Sequence, residues 1–471
     1  MNNNPTYQQP LCSPCATCDE SNTTTTRKQD ENETKTTAND AVRCVPQLRF
    51  PEFQNEGEWE TVSFADLFSL LSNNTLSRAE LSTEGEGIYN IHYGDILIKY
   101  PSYVDIQKTT LPCIKEADKI SNIINVQLQD GDIVIADTAE DETAGKCIEI
   151  GNLKNKVVVA GLHTIPCRPN RRFAPAYLGY YMNSHCFHSK LLPIMQGVKV
   201  TSISRSALKK VILTYPSSLE EQQKIASCLL SIDEDISATT QKLEQLKTHK
   251  KALLQKLFPQ RGKTIPEFRF PEFDTASEWN KKKLGDVADV VQGYGFPERM
   301  QGKSKGECPF IKVSDISAAV NKGSRLIDES VNYVDINDLE TLRAIPFPQG
   351  TIIFAKIGEA IRLNRRVILN RESLIDNNIA GVKARSNVIL DDYLYYVMLG
   401  IDLIKYAGGV VPSVKKSTIE GIEILLPQTL VEQQKITYCM QSIDDDIFAT
   451  IKRLELLQTQ KKALMQQLFV K

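Results

Sequence analysis

Residues 217–258, SSLEEQQKIASCLLSIDEDISATTQKLEQLKTHKKALLQKLF, recur 211 positions later as QTLVEQQKITYCMQSIDDDIFATIKRLELLQTQKKALMQQLF, with about half of the aligned residues identical. In the first copy Ile225, Leu229, Ile232, Ile236, Thr239, Leu243, Leu246, Lys250, Leu253 and Leu257 follow at alternating steps of four and three. The second copy gives Ile436, Met440, Ile443, Ile447, Thr450, Leu454, Leu457, Lys461, Leu464 and Leu468, with Thr and Lys at the same two seam positions. A heptad pattern sustained without Gly or Pro predicts a long helix that buries a narrow stripe against another helix. Roughly 40 residues at about 1.5 Å each make a rod near 60 Å long. Pro216 and Pro427 stand just before the two helices and Pro259 just after the first, where proline is tolerated. An ordinary surface helix would drift off such a seam, because 3.6 residues per turn does not match a 3.5 repeat. Two matching seams in one chain most simply satisfy each other.

A second repeat opens each half. RFPEFQNEGEWETVSFADL (49–67) matches RFPEFDTASEWNKKKLGDV (269–287), with the two tryptophans, Trp59 and Trp279, at equivalent places. The chain therefore reads as α+β: two tandem mixed α/β domains joined by two long antiparallel coiled-coil helices. The expected division is a disordered tail (1–44), a first module (45–216), a first helix (217–260), a second module (261–427) and a second helix (428–471). The offset is 220 at the openings and 211 at the helices, so the interiors have diverged by insertion. Segments 88–100, 131–138 and 156–168 have strand character, as do 308–316, 350–358, 365–370 and 378–385. Segments 174–192 and 391–406 read as helices.

Composition narrows the class. Of 471 residues, 41% are hydrophobic and 24% charged, with net charge −2, a soluble globular profile. No apolar run predicts a membrane span, and no signal-peptide pattern is seen. Eleven cysteines scattered singly suit reduced thiols and a cytoplasmic location. The tail carries Cys12, Cys15 and Cys18 as C-x-x-C-x-x-C, with Cys44 as a distant fourth thiol. That spacing is read as tail rather than metal site. No phosphate-binding loop, H-E-x-x-H, nucleophile elbow or complete dinucleotide fingerprint occurs, so no catalytic residue, metal or cofactor is nominated. His185 and His188 read as a helix-surface pair.

The positive signal is for nucleic acid. Residues 151–210 hold ten Lys/Arg and no Asp or Glu, a candidate phosphate-binding face. Within it Arg168, Arg171, Arg172, Lys190 and Lys199 are the candidate contacts, while Tyr180 and Tyr181 read as core. In the second module the candidates are Gln292, Tyr294, Arg299, Lys303, Lys305, Lys312, Lys356, Arg362, Asn364, Arg365, Arg366, Lys415 and Lys416. Lys and Arg neutralise phosphates; Arg, Asn and Gln on rigid loops read base edges.

These elements resemble the specificity subunit of Type I restriction-modification systems. The resemblance rests on the repeated R-F-P-E-F…W opening, G-Y-G-F…P-F-I-K-V-S-D-I (293–316), G-T-I-I-F-A-K-I-G (350–358) and the duplicated P…E-Q-Q-K-I…S-I-D…K-K-A-L…L-F helix. It implies two target-recognition domains reading a bipartite site in double-stranded DNA, held apart by antiparallel spacer helices. It also implies no catalysis by the chain itself, and two methyltransferase subunits and restriction subunits as partners. The first module departs from the pattern: ADTAEDETAG (136–145) stands where the second has AKIGEAIRLN. Glu221, Gln222, Lys224, Asp233 and Asp235 are expected on exposed helix faces, where methyltransferase subunits would dock. Two rival readings are a stand-alone bipartite DNA-binding scaffold and a coiled-coil adaptor for proteins.

Overall fold

The computed structural model describes residues 44–116, 126–197 and 199–470; the Cys12, Cys15, Cys18 run and the tail reading lie outside them. The two heptad segments are helices Leu219–Leu257 and Leu430–Gln467, started by Ser218 and Thr429, whose side chains accept from the backbone N–H groups of Glu221 and Glu432. Side-chain caps of this kind satisfy donors that a helix start leaves orphaned. The helices run antiparallel. Lys250 meets Asp444 at 2.5 Å and Lys461 meets Asp233 at 2.6 Å, so the two seam lysines reach across to the same aspartate of the opposite copy. This reciprocity relates the two halves by an approximate two-fold axis. Leu243, Ile443 and Ile447 form the buried centre of the seam, with Leu246, Leu253, Ile451 and Leu454 packed on it.

Beyond that centre the seam positions serve the modules as well. Ile225 and Leu229, from the start of the first helix, lie in the core of the first module together with Leu468, Phe469 and Val470 from the end of the second. Ile436 and Met440 enter the second module's core together with Leu257. Ile232 is buried, while Ile236, Leu457 and Leu464 are half-buried. Each module thus sits at one end of the helix pair and is completed by both helices.

The modules share one topology. Five strands in the first, in the order Phe68–Leu70, Thr164–Pro169, Ile133–Ala136, Cys147–Gly151, Tyr103–Asp105, correspond to Ala288–Gln292, Ile379–Ala384, Ile352–Ala355, Val367–Leu369, Leu326–Ile327 in the second. The pairs are antiparallel except the last, which is parallel in both modules. A second, smaller sheet and a two-stranded ribbon (Glu60–Ser63 with Ile212–Tyr215; Asn280–Lys283 with Glu423–Leu426) complete each module. Two segments expected as single strands each turn into a helix: Ile88–Ile91 gives way to Tyr93–Ile98, and Cys308–Ile311 to Val313–Asn321. His92 caps the former through Gly94 N–H, and the resulting turns are too short to show a helical period.

The repeated opening fastens module to helix. Arg49 Nε and Nη2 donate to Glu221 at 2.8 and 2.7 Å, and Trp59 Nε1 donates to the same carboxylate at 3.3 Å. Arg269 and Trp279 hold Glu432 in the same way, at 2.8, 2.9 and 3.1 Å. Gln222 accepts from Ala174 N–H and Gln433 from Leu390 N–H, both at 3.0 Å. Tyr180 and Tyr396 donate to Asp233 and Asp444. The expectation that Glu221 and Gln222 face solvent is therefore corrected: both are buried, at 1% and 2% exposure. The module covers the face that the partner helix leaves open.

Candidate nucleic-acid interface

In the second module three strand ends meet at one edge of the five-stranded sheet. Gln292 pairs with Ala380, and Ala355 with Ile379. Lys356 N–H donates to Asn378 O at 2.9 Å, and Val414 N–H to Lys356 O at 3.0 Å. Gln292, Lys356, Asn378 and Lys415 are thereby gathered on adjoining backbone. The loop before Lys415 is a closed hairpin, with Gly408 and Ser413 exchanging backbone bonds at 3.0 and 3.1 Å and Gly409 at φ 93°. Pro412 O accepts from Gly358 N–H at 2.8 Å, so this tip is tied to the strand end rather than loose. Burial pushes the Lys356 ammonium below the usual lysine range, because removal from water disfavours the charged form.

The remaining candidates separate by what their side chains already hold. Arg299, Lys305 and Lys415 are exposed. Lys303 pairs with Asp335, Arg362 with Glu359 and Lys416 with Glu420; exposed pairs of this kind are each worth little. Lys312 donates to Gln301 and lies over the Phe296 ring at 5.7 Å. Tyr294 packs beside Phe347, and its hydroxyl accepts from Ile345 N–H. Asn364 is spent on Leu399 O and on the guanidinium of Arg366. Arg365 reaches Asn321. Arg366 cannot meet a duplex: it is 2% exposed, over the Phe354 ring at 5.0 Å. A strand-end arginine turned inward because its stem and plane pack on an aromatic ring.

The first module presents different chemistry at the matching edge. Ile203 N–H donates to Asp137 O at 2.8 Å, the counterpart of Val414 to Lys356, so Asp137 stands where the second module has a lysine. Asp137 faces His163 at 3.5 Å, and Arg205 donates to Leu71 O and Asn73 Oδ1, both at 2.9 Å. Asn73, Asp137 and His163 are not nominated from sequence, and Arg205 enters there only as one of the ten cations of 151–210; their partners lie too far away along the chain for spacing to pair them. Of the nominated residues, Arg168 is clamped by Asp132 at 2.8 and 2.7 Å. That hydrogen bond raises its pKa. Arg171 pairs with Glu60 at 2.6 Å. The Lys190 ammonium donates to Ile212 O, and burial lowers its pKa. Arg172 and Lys199 are exposed. Tyr180 and Tyr181 are core.

The sequence profile of the family described as Type I restriction modification DNA specificity domain matches residues 56–248 and 276–457. The chain belongs to this family. Among curated relatives, the type I restriction enzyme MjaX specificity subunit of Methanocaldococcus jannaschii is 24% identical over 417 residues, 87% of this chain and 92% of the relative. The MjaIX specificity subunit of the same organism is 27% identical over 304 residues, 62% of this chain and 67% of the relative. Among solved structures, the type I S subunit from M. genitalium superposes with a TM-score of 0.56 at 14% identity, covering 91% of this chain and 99% of that one. This specificity subunit therefore carries two tandem recognition domains on paired long helices, and its role is DNA recognition rather than catalysis. Among the described residues no helix is long and apolar enough to cross a membrane, and no group of His, Cys, Asp and Glu is arranged to hold a metal ion.

Proposed function

We propose that residues 45–216 and 261–427 each read one half of a bipartite DNA site, and that the helix pair acts as a ruler between them. The reading is carried by the reciprocal fastening: equivalent residues lash equivalent modules to opposite ends of one antiparallel pair. From Leu229, in the first core, to Leu257, in the second, the helix rises about 42 Å at 1.5 Å per residue. That is of the order of one turn of B-DNA, the interval at which paired modules address successive grooves. Lys356, Lys415, Arg299 and Lys305 in one module, and Arg172 and Lys199 in the other, supply phosphate contacts. The unlike edges around Lys356 and Asp137 supply unlike half-sites.

Two methyltransferase subunits and, for cleavage, restriction subunits would act on the site so located, in the cytoplasm. Asp235, exposed on the first helix, is available to dock them, whereas Lys224 is already paired with Glu52 at 2.9 Å. Removing one heptad from each helix in register shortens the ruler by about 10 Å, or about three base pairs. Methylome sequencing of cells carrying such a variant with its partners should show the same two half-sites around a shorter spacer. A changed half-site with an unchanged spacer refutes the ruler.

A further inference from the structure

A cavity of about 760 Å³ lies between the second module and the paired helices. Arg325, Arg365 and Arg366 line it from the module, and Lys247, Lys250 and Lys251 from the first helix. The carboxylates in its wall are Asp444 and Glu455, and Asp444 is occupied by Lys250 at 2.5 Å and by the Tyr396 hydroxyl at 2.7 Å. Arg366 is 2% exposed; its Nη atoms donate to Arg365 O, Asn364 Oδ1 and Ile401 O, but its Nε is sealed from solvent with no hydrogen-bond partner. Arg325 Nε and Nη1 are likewise sealed and unpartnered. Burial lowers the pKa of Arg366 to about 10, as expected where desolvation outweighs any neighbouring carboxylate.

Buried charged donors without acceptors are costly, and the shared fold does not require these two arginines. Ile368 N–H donates to Arg325 O at 2.8 Å just as Glu149 N–H donates to Ser102 O at 2.8 Å in the first module. By that register Ser102 and Cys147 stand where the second module has Arg325 and Arg366. Three arginines and three lysines thus surround one cavity whose two carboxylates include one already neutralised by Lys250, a setting that favours an anion. The opposite wall is apolar, built from Leu243, Leu254, Tyr395, Ile447 and Leu454.

We propose that this cavity is a binding site for a small organic phosphate. Its phosphoryl oxygens lie among Arg325, Arg365, Lys247 and Lys251, with buried Arg366 adding positive charge from behind, and its apolar body rests on the helix side chains. A duplex backbone does not fit this description, because the cavity is walled by the helix pair and Arg366 lies beneath the surface. The site sits where module and ruler meet, so its occupant stiffens that joint.

Calorimetric titration of the full-length chain with ADP, and separately with inorganic pyrophosphate, tests the assignment. Both probes should saturate, with ADP held in the micromolar range and pyrophosphate about tenfold more weakly, for want of the apolar body. Arg325→Gln should weaken ADP binding about tenfold or more, since one charge-assisted contact is lost, and Lys251→Gln should weaken it less. Neither change should alter DNA affinity. Absence of saturation by either probe up to about 5 mM, or equal ADP affinity in wild type and Arg325→Gln, overturns the proposal. So does displacement of ADP by target duplex, which would give the arginines to DNA phosphates.

Discussion

Replacing Glu221 by alanine strips the carboxylate that Arg49 and Trp59 share and leaves the guanidinium buried; the two side chains of the ion pair are 1% and 7% exposed. Breaking a buried pair from one side costs about 3–5 kcal/mol, because the surviving charge is uncompensated. Arg49 keeps Glu56 O at 2.8 Å and Gly57 O at 3.0 Å, and the half-exposed Glu56 carboxylate stays 3.9 Å away, which places the cost near the lower end. For a module of this size that is a drop in midpoint of about 6–12 °C. Substituting both partners with methionine should recover most of it, since no lone charge then remains. The chain provides its own reporters: Trp59 and Trp279 are its two tryptophans, each bonded to the glutamate of its own end. Urea unfolding followed by fluorescence in Trp279→Phe and Trp59→Phe backgrounds reads the ends separately. Glu221→Ala should shift the Trp59 transition and leave the Trp279 transition nearly in place, and Glu432→Ala should do the reverse. A loss below about 1 kcal/mol, the range of an exposed pair, refutes the reasoning. Equal shifts of both transitions would show that the ends do not melt as separate units.

Other consequences can be checked singly. Burial raises the Glu149 pKa from its usual 4.5 to about 7 despite bonds from Ala176 and Gly179 N–H. A raised carboxylate pKa means that the folded state holds its proton longer, so this contribution is complete below about pH 4.5 and lost as pH rises through 7. Thermal midpoints of Glu149→Gln should lose that decline, which is on the order of 3 kcal/mol. Lys356→Gln should lower DNA affinity and reduce the slope of log K against log salt by about 0.9 if Lys356 neutralises one phosphate; filter binding across salt concentrations measures both. Gly293→Ala should unfold the sheet edge, since its Cβ would lie 2.0 Å from Asp376 O and 2.3 Å from Ile375 O. Proteolysis should then open the second module while sparing the first.

The paired helices and the duplication were legible because both are written as local pattern: the seam positions follow a heptad, and the openings share R-F-P-E-F and, four residues on, E-W. Glu221 and Gln222 were misplaced because a heptad says which face meets the other helix and is silent about a module covering a second face. A signal was nevertheless present. R-F-P-E-F…W and E-Q-Q are duplicated together, and one supplies the cations and indole N–H that the other's buried carboxylate needs. Arg366 shows the limit of counting charges: a basic residue at a strand end points either way, and the Phe354 ring decided it. Asp137 and His163, or Arg205 and Asn73, pair across separations that no pattern in one sequence encodes.

Because the end of each helix fills the core of the opposite module, one half of this chain resembles a protomer whose missing wall is a second copy of itself. A single-headed ancestor with one helix could have formed a homodimer through the same reciprocal lysines and aspartates, reading a palindrome. Fusion of two such genes would have kept the dimer contacts while releasing the heads to drift apart. New specificities could then arise by exchanging one head at a time, with the joint to the rod unchanged.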